Sequence, residues 1–220
     1  MPEIKPHAPT KQATAKVLKT LAGLYPTHPL EVQGAEPFRV LVATMLSSRT
    51  KDPVTNAVMR SLWAKARTPQ DILRIPETKL AEALKPVGFY SQKARQLHGL
   101  CRMVIERFGG GVPATREELM ELPGVGRKVA NLVLNICYDY PAICVDTHVH
   151  RVSNRLGWVS TETPEETEEA LLKVVERKYW SMLNRVVVNH GQRVCQPLSP
   201  RCSECTVAAS CPRTGVVKYR

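Results

Sequence analysis

The chain of 220 residues is 43% hydrophobic and 23% charged, enough to bury one large core or two small ones. Lys and Arg number 31 against 20 acids, a net charge of +11 with a pI near 9.5. That balance points to a polyanionic partner, DNA or RNA before a membrane surface, with a merely solvated basic surface as the plain alternative. No stretch reaches the roughly 20 apolar residues of a membrane span. Met1 to Lys11 lacks the apolar run of a secretory signal, so the sequence predicts an intracellular protein.

Helical spacing recurs along the chain, and strand alternation is nearly absent. Val17, Leu18, Leu21 and Tyr25 form a stripe that Pro26 ends. Pro37 opens a second helix carrying Phe38, Leu41, Val42 and Met45. Asp52 before Pro53 reads as an N-cap leading into Val54, Val58 and Leu62, and Thr68-Pro69-Gln70-Asp71 repeats that start signal. Ser91 begins a longer helix with Ala94, Leu97, Cys101, Val104, Ile105 and Phe108 on one stripe, ended by Gly109-Gly110-Gly111. Thr115 to Glu118 has the composition of a capping box. Glu165, Glu166, Glu168 and Glu169 follow Pro164 at a helix start, where acids suit the dipole, and this face is expected to be solvated.

Leu122-Pro123-Gly124-Val125-Gly126-Arg127-Lys128 lies between two helical patterns, Arg116 to Glu121 and Val129 to Cys137. Gly124 and Gly126 permit a turn too tight for side chains. Their amides and the start of the next helix make a concave anion site, which a DNA phosphate fits without base readout. An ordinary helix–helix turn is the plain alternative; Arg127, Lys128 and the overall charge favour phosphate. Asp146 in Val145-Asp146-Thr147-His148-Val149-His150-Arg151-Val152 stands where a helix would start. Taken singly, it reads as an N-cap and Lys128 as a surface lysine.

The seven cysteines are an odd number, which argues against a disulfide framework in an intracellular chain. Cys195, Cys202, Cys205 and Cys211 follow the spacing C-x6-C-x2-C-x5-C and mark a metal site. Composition makes zinc the default, yet most structural four-cysteine zinc sites use two Cys-x-x-Cys knuckles, and only one is present. Cys101, Cys137 and Cys144 lie in apolar stretches and read as small buried hydrophobes. Gln196 to Arg201 reads as a loop.

LPGVGRK at 122–128 followed by VDTHVHRVSNRLG at 145–157 resembles the endonuclease III family, and the similarity runs from about Phe38 to Cys211. The resemblance implies an all-α, two-lobed helix-hairpin-helix glycosylase fold. Residues 30–140 would form a six-helix barrel domain, and 1–29 with 141–220 an iron–sulfur cluster domain, with DNA across the cleft. It implies Lys128 and Asp146 as catalytic residues and a [4Fe–4S] cluster on the four C-terminal cysteines. The implied reaction removes oxidised pyrimidines and nicks 3′ to the abasic site by β-elimination. Its partner would be double-stranded DNA containing damaged bases or abasic sites, met by a monomer in the cytoplasm, at the nucleoid if the cell is prokaryotic. Gly124, Val125, Gly126 and Arg127 would hold phosphate, with Arg193 and Arg201 as further contacts; the 196–201 loop is less basic than is usual in the family.

Ser47-Ser48-Arg49-Thr50-Lys51-Asp52 matches the family's loop that fills the hole left by an extruded base, usually with glutamine where Arg49 stands. Arginine can bind an orphan guanine bidentately. Phe89 in Gly88-Phe89-Tyr90 matches the second wedge, where leucine is usual, and can stack between bases. Solvated and core roles are the alternatives for Arg49 and Phe89. His148 matches a family histidine that orients Asp146 or meets phosphate, or it is an ordinary helix histidine. Asp52 also matches a family aspartate, and an N-cap explains it. The rivals are a monofunctional adenine or thymine glycosylase, disfavoured by Lys128 and by a chain ending nine residues after Cys211, and a non-catalytic DNA-structure binder, disfavoured by Lys128 with Asp146.

Overall fold

The computed structural model describes residues 10–220 except 33 and 139. Residues 1–9, most of the stretch read above as no secretory signal, lie outside the described residues. The α-helices are α1 (Lys11–Leu24), α2 (Pro37–Ser47), α3 (Asp52–Trp63), α4 (Pro69–Arg74), α5 (Glu77–Ala83), α6 (Tyr90–Phe108), α7 (Arg116–Glu121), α8 (Arg127–Cys137), α9 (Thr147–Arg155), α10 (Pro164–Val174) and α11 (Trp180–Arg193). No strand occurs among the described residues. None of the described helices is long and apolar enough to cross a membrane. The chain divides into two compact units, Leu30–Tyr140 and Met1–Pro29 with Pro141–Arg220.

In the Leu30–Tyr140 unit α2 is central. Phe38 and every residue from Val40 to Leu46 is buried, as expected of a helix apolar on all sides. It packs against α3, α6 and α8, while α4 and α5 pack on α6 and α7 on α8. Leu41, Leu46, Leu97, Leu100 and Leu119 have no exposure, each burial contributing about 1.5–3 kcal/mol. Inside α2, the Thr44 hydroxyl donates to the Val40 carbonyl at 2.7 Å, so its polarity is satisfied locally.

Three helix starts differ from the sequence expectation. The first helical bonds of α3 run to the Lys51 carbonyl, so Lys51 is the cap and Asp52 is the first helical residue. At α7 the Thr115 hydroxyl accepts from the Glu118 amide but donates to the Glu118 carboxylate at 2.6 Å, so the carboxylate does not reach back to the cap amide. The reciprocal box forms instead at α4, where Thr68 and Asp71 each accept from the other's amide at 3.1 Å. α6 opens at Tyr90, one residue before the expected Ser91.

In the other unit α1 packs on α11, α11 on α9, and α10 on α9, around Leu18, Leu21, Val149, Val152, Leu171 and Leu183. The segment after α1 is fastened by polar side chains of α11. Asn189 donates to the Thr27 carbonyl at 2.9 Å, and Asn184 Oδ1 lies 3.0 Å from His28 Nε2. Glu168, expected on a solvated face, is buried with Thr167 and Leu171 on the inward side of α10. Beyond α11 only 3-10 turns at Cys202–Glu204 and Ala208–Ser210 interrupt the loop, and Gln196 to Arg201 is loop as expected.

Candidate functional site

The hairpin between α7 and α8 is seated on α6 and α2. Gly124 has φ +81°, and a Cβ there would stand 3.1 Å from Gln96 Oε1 and 3.2 Å from Met45 Sδ. Glycine is therefore required for both conformation and space. Gly126 differs from the expectation: its backbone is extended, and a Cβ there would meet no protein atom within 4 Å. Its small size leaves the approach to the α8 N-terminus open. Val125 turns its side chain into the core and donates its amide to the Leu122 carbonyl at 3.0 Å. That donor serves the turn. α8 starts at Gly126 without a side-chain cap, followed by exposed Arg127 and half-buried Lys128. An uncapped helix start beside a guanidinium is suited to an anion.

Arg49 and Phe89 come together. The Arg49 guanidinium lies over the Phe89 ring at 5.6 Å from its centre, and Phe89 is 59% exposed rather than core. Both residues take left-handed backbone conformations, φ 51° and 58°.

Asp146 caps α9 through Oδ1, which accepts from the His148 amide at 2.9 Å and the Val149 amide at 2.8 Å. Oδ2 accepts no bond among the described residues, so the cap fixes the carboxylate with one oxygen to spare. His148 contributes its main chain to Asp146, while its ring Nδ1 faces Arg151 Nη2 at 3.1 Å. Arg151 also donates to the Gly191 carbonyl at 3.0 Å and to the Cys195 carbonyl. A Cβ on Gly191 would come within 3.0 Å of His148 Cβ, so glycine lets α11 approach α9 here. Arg155, one turn farther along α9, donates to the carbonyls of Gln196 and Pro197 at 2.6 and 2.8 Å. The cysteine loop is thus hung from α9 by two arginines.

Cys195, Cys202, Cys205 and Cys211 line one pocket together with Val152, Leu156, Val194, Val207, Arg155 and His190. Among the described residues, no three His, Cys, Asp or Glu side chains are grouped to hold a single metal ion. Burial pushes the Cys205 and Cys211 thiols up, the amides of Val207 and Arg213 pull them down, and the charge of the other cysteines raises them again. Buried His190 has Nε2 3.7 Å from Cys205 Sγ, and burial pushes it down to about 4. Arg193 is exposed and stacks over Tyr25 at 5.5 Å. Arg201 lies 3.6 Å from Glu204, which takes up part of the charge expected for a phosphate. Burial pushes the Cys101 and Cys137 thiols up to about 12 and 11, consistent with inert thiols; Cys144 is also buried.

Sequence reading missed Lys93, Arg151, Arg155 and His190. Arg151 follows His148 by three residues, a helical spacing that puts the two side by side. Lys93 had no local signal, because its side-chain partners lie 43 to 47 residues earlier.

A glycine-turned hairpin in an all-α unit, with a four-cysteine loop in the second, is the layout of a helix-hairpin-helix DNA repair protein. Residues 42–177 match the HhH-GPD superfamily base excision DNA repair protein family. Endonuclease III of Thermotoga maritima is 47% identical over 176 residues, covering 80% of this chain and 83% of that protein. Endonuclease III of Bacillus subtilis is 38% identical over 197 residues, covering 88% and 89%. A solved endonuclease III trapped as a covalent intermediate with DNA superposes with a TM-score of 0.85 at 37% identity, covering 93% of this chain and 97% of that one. The chain belongs to the endonuclease III family, and its activity is that of a DNA glycosylase with AP lyase action.

Proposed function

We propose that the chain removes oxidised pyrimidines from double-stranded DNA with Lys128 as nucleophile and Asp146 as its carboxylate partner. The observation that carries the assignment is the position of Lys128, a partly exposed amine in the first turn of a helix whose N-terminus is uncapped. Arg127 and the amides around Gly124 and Gly126 bind a backbone phosphate there, so the amine meets a sugar held in register.

In this mechanism the damaged nucleotide leaves the stack first. The neutral amine of Lys128 attacks C1′, and the glycosidic bond breaks with its electron pair going to the base, which takes up a proton. Asp146 stabilises the positive charge developing on the sugar and accepts a proton from the attacking amine. Ring opening leaves a Schiff base between Lys128 Nζ and C1′. That imine acidifies the C2′ proton; its removal forms a C2′–C3′ double bond and expels the 3′ phosphate. Water then hydrolyses the imine and frees Lys128.

The four cysteines suit a [4Fe–4S] cluster, which the likeness to the endonuclease III family favours over a zinc ion. A single tetrahedral ion with metal–sulfur bonds of about 2.3 Å gathers its thiolates around one point. A cubane takes one thiolate per iron and spreads them around a larger volume. Here four cysteines line one pocket, one thiolate for each of four irons. When bound, the cluster would supply a tie between Cys195, Cys202, Cys205 and Cys211 in a segment with little core of its own. Arg193 and the partly neutralised Arg201 would add phosphate contacts. The protein would act as a monomer, in the cytoplasm and at the nucleoid if the cell is prokaryotic.

Borohydride trapping on a thymine glycol duplex tests the reading. The wild type gives a covalent protein–DNA adduct and Lys128→Ala gives none. Absence of trapping on that duplex and on an abasic-site duplex would remove the lyase assignment; free base released without an adduct would point to a monofunctional glycosylase.

A further inference from the structure

We propose that Lys93 is a positioning residue that holds Arg49 and Phe89 together as one preassembled wedge, an inference resting on the proposed action on bases in duplex DNA. Arg49 and Phe89 are non-glycine residues in the left-handed backbone region, a conformation that is unfavourable for an L-residue. Such conformations persist when the surroundings over-determine them, and they gather at working sites. The surroundings here converge on Lys93.

Lys93 is only 6% exposed, although it carries an ammonium. Its Nζ donates to the Leu46 carbonyl at 2.8 Å and the Ser48 carbonyl at 2.5 Å, and lies 3.4 Å from Thr50 Oγ1. These atoms belong to the last turn of α2 and the loop bearing Arg49. A cation at a helix C-terminus meets the dipole favourably and satisfies carbonyls with no helical partner. The main-chain amide of Lys93 donates to the Phe89 carbonyl at 3.0 Å. One residue therefore grips one wedge loop with its side chain and the other with its backbone.

Two further contacts close the clasp. The Gly88 amide donates to Thr50 Oγ1 at 3.1 Å. A Cβ on Gly88 would stand 2.7 Å from the Arg49 carbonyl oxygen, so only glycine permits this approach. With the loops fixed, the Arg49 guanidinium rests over the exposed Phe89 ring, and the two present a cation–ring stack. A stack of that kind can enter the space vacated by an extruded base without first assembling. Desolvation and the nearby Lys128 charge lower Lys93 to about 8.

The test compares wild type, Lys93→Met and Gly88→Ala. Lys93→Met keeps an unbranched side chain, one atom shorter, but removes the donors; Gly88→Ala pushes the loops apart and leaves every charge in place. Base extrusion is read by 2-aminopurine fluorescence in a duplex, and single-turnover excision on a thymine glycol duplex. Borohydride trapping on a single-stranded abasic site is the control, because no base must leave a stack. Both variants are expected to lose duplex excision and extrusion by on the order of tenfold to a hundredfold while single-strand trapping is unchanged. Unchanged duplex excision in both variants overturns the proposal. Equal loss on both substrates, tracking a lowered melting temperature, also overturns it by reducing Lys93 to general stability. Failure of the wild type to trap on either substrate would instead sink the lyase reading itself.

Discussion

Arg151 grips the carbonyl oxygen of Cys195 with two nitrogens, Nε at 3.2 Å and Nη2 at 3.0 Å. The same guanidinium reaches the Gly191 carbonyl and the His148 ring, so the helix capped by Asp146 and the first cysteine of the loop share one partly buried cation. Removing it leaves several acceptors without their donor. Hydrogen bonds to a charged group contribute about 1.5–3 kcal/mol each in such settings. Arg151→Ala is expected to lower stability by about 2–3 kcal/mol and to speed loss of the visible absorbance of the proposed cluster. Urea denaturation and absorbance decay measure both; an unchanged midpoint would mean the grip carries no net free energy.

The two hairpin glycines should respond oppositely to alanine. Gly124 is left-handed and hemmed in by Gln96 and Met45, so Gly124→Ala should destabilise the protein by about 1–2 kcal/mol. Gly126 is extended with open space beyond, so Gly126→Ala should leave the melting temperature in place while weakening DNA binding. Thermal melts and DNA titrations at one salt concentration separate the effects. Equal loss of stability in both variants would contradict the distinction.

Arg49 carries opposite-base preference if its guanidinium reaches the orphaned base. Bidentate hydrogen bonding to guanine discriminates by about 1–3 kcal/mol. Arg49→Gln should therefore reduce the preference for a lesion opposite guanine over one opposite adenine by on the order of tenfold. Excision rates on the two duplexes give the ratio; a ratio that does not move assigns Arg49 to phosphate or solvent.

Asp71 gives the acid limb of stability a specific contribution. The Thr68 hydrogen bonds, with the Arg67 amide, lower the Asp71 carboxyl below its ordinary value. A carboxylate whose folded pKa is depressed stabilises above the unfolded pKa, and that stability is lost as pH falls through the folded one. Asp71→Asn should flatten the stability–pH profile below about pH 4. Denaturant midpoints across that range check it, and an unaltered acid limb would show that Asp71 does not contribute.

Much of the fold was readable because its signals are local. Helical stripes such as Ala94, Leu97, Cys101 and Val104 mark the buried face of α6, and Pro37 and Gly109 mark helix ends. The cysteine spacing pointed to a metal loop, which stands as a proposal, and the hairpin and Val145–Val152 motifs announced the family. Cap details were less secure, because Asp52 and Lys51, or Thr115 and Glu118, differ only in which oxygen meets which amide.

The sequence by itself determined the helical class and the positive charge, and it supplied the four-cysteine spacing and the proposal of Lys128 and Asp146, since each is written in neighbouring positions or in residue type. Tertiary structure decided that Lys93 joins two loops, that Arg151 and Arg155 hang the cysteine loop from α9, and that Phe89 is exposed beneath Arg49. Those relationships are bonds between groups some 40 residues apart, formed only after packing has fixed the helices that carry them, so no local pattern encodes them.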